Sequence, residues 1–198
     1  MAARLISFIV LFFNLTVTFS QERLWLKQTK ISEVVAFEKA LNPSAQLFSK
    51  NVSLSTGYYP LADKYQVTNP ITAQRTPFAY LPIYAEYFYT PGDSTLRLIS
   101  YDWEKDRYGN FFDKQKMWKE ENSKLDIYNG EYERIKKDLL TQLGTPTTTD
   151  TAPQDVNTDG QKYISRKTIW ENDVFHAELH LIFASTTYRI RLMLYWKK

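Results

Sequence analysis

The only two histidines of the chain, His176 and His180, lie in the stretch VFHAELHLIF with Glu178 midway between them. In an extended strand alternate side chains share one face. His176, Glu178 and His180 therefore present two imidazoles and a carboxylate to the same side, donors of the kind that bind zinc, and a zinc-dependent hydrolase is the activity such a strand would serve. The surrounding pattern argues for a plainer role. Ala177, Leu179, Leu181 and Phe183 form the opposite, apolar face, so the histidines fall where any half-buried strand is polar. A hairpin turning through residues 184–187 would also set Arg191 opposite His180, a poor neighbour for a cation. No cysteine is available to complete a ligand set.

A second metal candidate is DVNTDG, in which Asp155, Asn157 and Asp159 precede Gly160. It resembles the first half of an EF-hand calcium loop, where the glycine allows the turn that gathers the oxygens. The twelfth position, which that loop fills with a bidentate glutamate, holds Arg166 here. Weak calcium binding, or a polar turn entering a strand, is what the match implies. Two acidic pairs, Asp102 with Glu104 and Glu120 with Glu121, are the types a glycosidase needs, but acidic residues number 22 and pairs of this kind arise readily by chance. Nucleophile-elbow, zinc-protease and phosphate-loop motifs are missing from the sequence. No enzyme class is indicated, and no cofactor beyond the weak zinc and calcium readings.

Aromatic residues make up 16% of the chain, with 14 tyrosines, more than a core readily hides. Tyrosine joins an apolar body to a polar tip and collects at binding faces. In the segment 79–90 one parity must be core. The other, Tyr84 and Phe88 with Tyr80, is then expected to form an exposed aromatic ribbon.

Several elements must position these residues. At the start, Arg4 precedes a mostly apolar run over 5–15, with Thr18 and Ser20 before Gln21, the pattern of a secretory signal peptide spanning 1–20 and cleaved near Ser20. The apolar run is shorter than the ~20 residues of a membrane span, and none follows it. Export to a periplasm or outside the cell is the expected localisation, with no membrane span in the mature chain. Formal charge is +3 with the signs interspersed, which gives no nucleic-acid footprint.

Residues 21–198 read as one α+β domain. Val34, Val35, Phe37 and Leu41 recur at helical spacing over 31–41 and stop at Asn42-Pro43. Segment 42–76 reads mostly as loop. Apolar runs at 79–90 and 96–103 flank Pro91-Gly92-Asp93 and predict a hairpin. Leu125, Tyr128, Tyr132, Ile135, Leu139 and Leu143 form one stripe of a helix within 123–143, with Ser123 and Asp126 as an acidic capping pair and Gly144 beyond its end. Residues 144–161 read as a mobile loop, and strands are expected at 163–170, 174–183 and 188–196. Shifting the chain by 92 residues aligns the two hairpins without a gap, placing Ala85-Glu86 on Ala177-Glu178 and Arg97 on Arg189. That self-match suggests two tandem helix-plus-hairpin repeats, 21–105 and 123–198. The expected architecture is an antiparallel sheet with helices on one face and the other partly open. The expected function is that of an exported, non-enzymatic binding or accessory protein offering an aromatic sheet face to a protein or envelope polymer. A metal-dependent hydrolase and a structural envelope protein are the alternatives.

Overall fold

A computed structural model of the chain describes residues 23–75, 80–105, 107, 109–158 and 160–198. The segment read as a signal peptide and the candidate ligand Asp159 lie outside the described residues. The elements run α1 (Ile31–Leu41), β1 (Leu47–Ser49), β2 (Ile71–Arg75), β3 (Ile83–Tyr89), β4 (Leu96–Glu104), α2 (Phe111–Glu121), α3 (Leu125–Leu143), β5 (Thr148–Thr149), β6 (Gln154–Thr158), β7 (Gln161–Glu171), β8 (Phe175–Ala184) and β9 (Thr187–Trp196). The strands form one antiparallel sheet in the order β1-β2-β3-β4-β9-β8-β7, with β5 and β6 both paired to the outer side of β7. Among the described residues no helix is long and apolar enough to cross a membrane.

Alternation decides which face of the sheet holds the core. Ala177, Leu179, Leu181 and Phe183 of β8 and Tyr188, Ile190, Leu192 and Leu194 of β9 point to the helical side with Ile99, Tyr101 and Trp103 of β4. The stripe of α3 delivers Tyr128, Tyr132, Ile135 and Leu139 against them, and α1 adds Val34. Each such leucine, isoleucine, valine or phenylalanine side chain contributes roughly 1.5–3 kcal/mol when fully buried. The α1 stripe differs from expectation in one respect. Glu38, only 2% exposed, replaces an apolar residue one turn after Val34, because Arg75 and Tyr87 both donate to its carboxylate. Tyr132 similarly meets a polar need in the core, its hydroxyl 2.7 Å from Thr168 Oγ1.

Three expectations require correction. Tyr84 and Phe88 are 3% and 1% exposed, so no open aromatic ribbon exists there. The polypeptide between β1 and β2 folds back over this side of the sheet and packs Leu54, Tyr59, Leu61 and Tyr65 on Phe88, Leu98 and Tyr195. Next, segment 144–161 is not without regular structure: it contains β5 and β6, the latter forming a hairpin with β7. Lastly, the ungapped 92-residue correspondence holds for the first strands of the hairpins and fails for the second. Ala85 and Ala177 both face the core, whereas Tyr101 faces the core and its counterpart Met193 the other side. A bulge between Phe88 and Tyr89 shifts the first hairpin's register.

Helix α3 starts at Leu125, after an N-cap Lys124 that makes no side-chain cap bond, so the Ser123–Asp126 capping pair is not used. It ends at Gly144, whose φ of +81° favours glycine. Gly130, inside the helix and exposed, has nothing within 4 Å of the position a Cβ would take. Gly130→Ala is expected to stabilise the fold by ~1 kcal/mol through helix propensity, raising the melting temperature by about 2–4 °C. Gly144→Ala should lower it. Thermal melts of the two variants giving the same sign would contradict this account of α3.

Candidate functional site

The sheet face away from α1 and α3 carries a row of polar side chains running across the strands. Asp102 of β4 pairs with Arg191 of β9, which pairs with His180 of β8, which pairs with Lys167 of β7. Asp102 has no exposed surface. Its carboxylate accepts from Arg191 Nε at 2.6 Å and Nη2 at 3.0 Å, and also from Arg107. The second arm of Arg107 reaches Glu86 at 3.0 Å. The Arg191 guanidinium lies 5.2 Å from the Tyr58 ring, whose hydroxyl is 2.9 Å from Ser100 Oγ. A carboxylate so fully paired is not a free acid or base, which argues against the glycosidase reading of Asp102 with Glu104.

His176, Glu178 and His180 do share this face, with His180 opposite Arg191 as the hairpin register implied. They do not converge. Four residues of extended strand separate the two histidines by ~13 Å, and each ring is turned to another partner. His176 stacks on Tyr195 with centroids 5.0 Å apart and has Nδ1 3.5 Å from Glu171. His180 Nε2 is 2.9 Å from Ser165 Oγ, and its Nδ1 is 3.5 Å from Glu178. Among the described residues no group of three or more His, Asp or Glu side chains is placed to hold a metal ion.

Serine, histidine and glutamate in this order have the outline of a nucleophile, base and orienting acid. The electrostatics oppose that use. Burial, then the positive charge of Lys167, holds the His180 imidazole down to about 4, with Arg191 and Arg189 adding to the effect against Glu178. A ring that resists protonation among cations is a weak general base. Ser165 is also buried within the paired strand β7 and not raised on a turn. The contact is therefore a neutral imidazole bonded to a serine hydroxyl.

The calcium candidate is likewise drawn out. Asp155 and Asn157 lie on β6, paired with Ile164 and Lys162, so the backbone is extended where an EF-hand loop would curl. Arg166, at the twelfth position, is 2% exposed and ties α3 to the chain after β5 by donating to Asn129 Oδ1 at 2.7 Å and to the carbonyl of Thr151 at 2.9 Å.

Helix α2 was not legible in the sequence and brings two features. Glu121, with no exposed surface, accepts from Lys124 and Lys105 at 3.0 and 3.1 Å and from Tyr80 at 2.9 Å. Burial pushes this carboxyl up, but those three hydrogen bonds outweigh it and hold it below the usual glutamate range. Tyr80, expected in an exposed ribbon, is thus half-buried and engaged with the buried Glu121 and two partly exposed lysines. At the other end of α2 the Phe111 ring stands edge-on to Phe112 and Trp118. Phe111 and Phe112 are 61% and 80% exposed. Phe111, Gln115, Trp118, Lys119 and Asn122 of this region face Ser185, Thr186 and Tyr188 of the β8–β9 turn across a groove of about 660 Å³. Asn122 Oδ1 accepts from the Tyr188 hydroxyl at 3.1 Å and fixes that wall.

No protein-family model, curated protein or solved structure matches the chain.

His180 supplies a test of the polar row. Its folded value of about 4 lies below the 6.5 of a free histidine. The unfolded chain therefore takes up the proton first on acidification. The associated stability is fully present above about 6.5 and is lost as the pH falls toward 4, by at most roughly 3 kcal/mol. In His180→Gln the loss of melting temperature between pH 6.5 and 4 should be shallower than in the unmodified chain. Parallel curves would show that His180 does not titrate as described.

Proposed function

We propose that this is an exported, non-enzymatic binding protein that takes a glycan of the cell envelope into the groove between α2 and the β8–β9 turn. The observation that carries the reading is the pair Phe111 and Phe112, large aromatic residues left in solvent beside a groove walled by Trp118 and Tyr188. Exposed aromatic surface of this kind is costly to keep and marks an interaction site. The wall chemistry suits a sugar: aromatic rings meet the C–H faces of pyranoses, while Gln115, Asn122, Ser185 and Thr186 offer amides and hydroxyls to the hydroxyl edges. Export rests on the sequence alone, on the charged and apolar leader before Gln21. The non-enzymatic part rests on Asp102 and His180, whose pairing and charge surroundings leave neither suited to proton transfer.

The binding contact thus moves from Tyr84 and Phe88, which are covered, to α2. Calorimetric titration of the full chain with oligosaccharides of N-acetylglucosamine and of glucose tests it. Binding of one series is expected, weakened about tenfold or more in Phe111→Ala combined with Gln115→Ala, at an unchanged melting temperature. Affinity unchanged in that variant, or no binding of either series, would sink the proposal.

A further inference from the structure

Arg189 and Glu104 are direct neighbours across β9 and β4, on the sheet face away from α1 and α3. An arginine side chain carries five N–H donors. Among the described residues none accepts a hydrogen bond from the Arg189 side chain: the carboxylate facing it is Glu104, with Nη1 3.9 Å from Oε2, beyond hydrogen-bond reach. Arg189 Nε and Glu104 Oε2 are both buried, and both lack a hydrogen-bond partner. The side chains are nonetheless 25% and 17% exposed, so the pair can be reached from solvent.

The contrast with the adjacent pair is informative. Two residues along the same two strands, Asp102 and Arg191 meet at 2.6 and 3.0 Å with both oxygens used. A carboxylate and a guanidinium directly opposite each other on these two strands can therefore close fully, and at Arg189 and Glu104 they stand apart. Buried donors and acceptors are nearly always paired, because each unpaired one costs its desolvation. Burial, then repulsion from Arg191, lowers the Arg189 guanidinium below its ordinary value, and burial raises the Glu104 carboxyl. Neither charge is at ease with what the protein alone supplies. The charged groups that bear on the pair are Arg191, Arg107 and Lys114 against Glu86, which leaves the surroundings tilted toward positive charge.

We propose that Arg189 and Glu104 form a binding site for a small oxyanion, a carboxylate or a phosphate, that carries a hydrogen-bond donor beside its charged oxygens. The planar fork of Arg189 takes the oxygens. Glu104 accepts from the donor, which is the hydroxyl of a 2-hydroxy acid or the O–H of a phosphate. An anion without such a donor meets the Glu104 carboxylate as a like charge and is refused. The site stands independently of the α2 groove.

The test is a thermal melt of the full chain at pH 7.5 and constant ionic strength, with millimolar phosphate, sulfate, glycolate or acetate replacing chloride. Phosphate or glycolate should raise the melting temperature by a few degrees at large excess over its dissociation constant. Sulfate and acetate should not. A shift with phosphate alone assigns the ligand class to phosphates, and one with glycolate alone to hydroxy acids. Arg189→Gln should abolish the shift. Glu104→Gln, which removes the refusing charge and keeps the shape, should let sulfate or acetate shift the melt as well. Phe111→Ala should leave every shift in place, which separates this site from the groove. An equal response to all four anions, no response to any, or a response that survives Arg189→Gln would overturn the proposal.

Discussion

The carboxylate of Asp102, clamped between the guanidiniums of Arg191 and Arg107, is the contact on which the second face of the sheet depends. It has no exposed surface, so its charge has no recourse to water. Leaving one partner of such a pair alone costs about 3–5 kcal/mol, a large share of the 5–15 kcal/mol that holds a domain folded. The constraint extends outward. Arg107 is drawn onto the sheet by Asp102 and Glu86, and its carbonyl oxygen accepts from Lys114 Nζ at 2.9 Å. Lys114 belongs to α2, so the ion pair in the middle of the sheet helps set where that helix starts and where Phe111 stands.

The other end of α2 is fixed by a second buried charge. Glu121 gathers Lys105, Lys124 and Tyr80 from the end of β4, the start of α3 and the chain before β3. A helix of Phe111, Phe112, Met117 and Trp118 among lysines and acids has too narrow an apolar stripe to dock by hydrophobic burial alone. Its position follows from polar contacts at both ends together with Trp118 packed on the core, and Phe111 and Phe112 remain exposed. This leaves the exposed rings beside the α2 groove free of any holding role, in keeping with the proposed contact. The sheet face is divided differently: aromatic packing under the chain before β2 at one end, and the polar row from Asp102 to Lys167 at the other.

What was legible in the sequence follows from this division. Period-two alternation and a short turn specify the β8–β9 register down to His180 opposite Arg191, and the stripe of α3 specifies its core face. Local pattern could not say that Phe88 would be covered, because the cover, Tyr59 and its neighbours, lies in a stretch of mixed signals almost 30 residues earlier. Nor could it find buried charges. Glu38, Asp102 and Arg166 find partners that lie 37, 89 and 37 residues away, and nothing local in the sequence marks them as buried. The His-x-Glu-x-His strand was misleading for a related reason: a shared face is visible in sequence, whereas convergence on one point depends on where each ring finds its neighbour. Helix α2 escaped notice because its stability is tertiary.

The measurement that bears most directly on the account is hydrogen exchange of the full chain with and without N-acetylglucosamine or glucose oligosaccharides. Slower exchange on adding sugar, concentrated in residues 111–122 and 185–188, is the expected result. Protection confined to β3 and β4 or to the chain before β2, with α2 unaffected, would place the contact on the sheet face and contradict it.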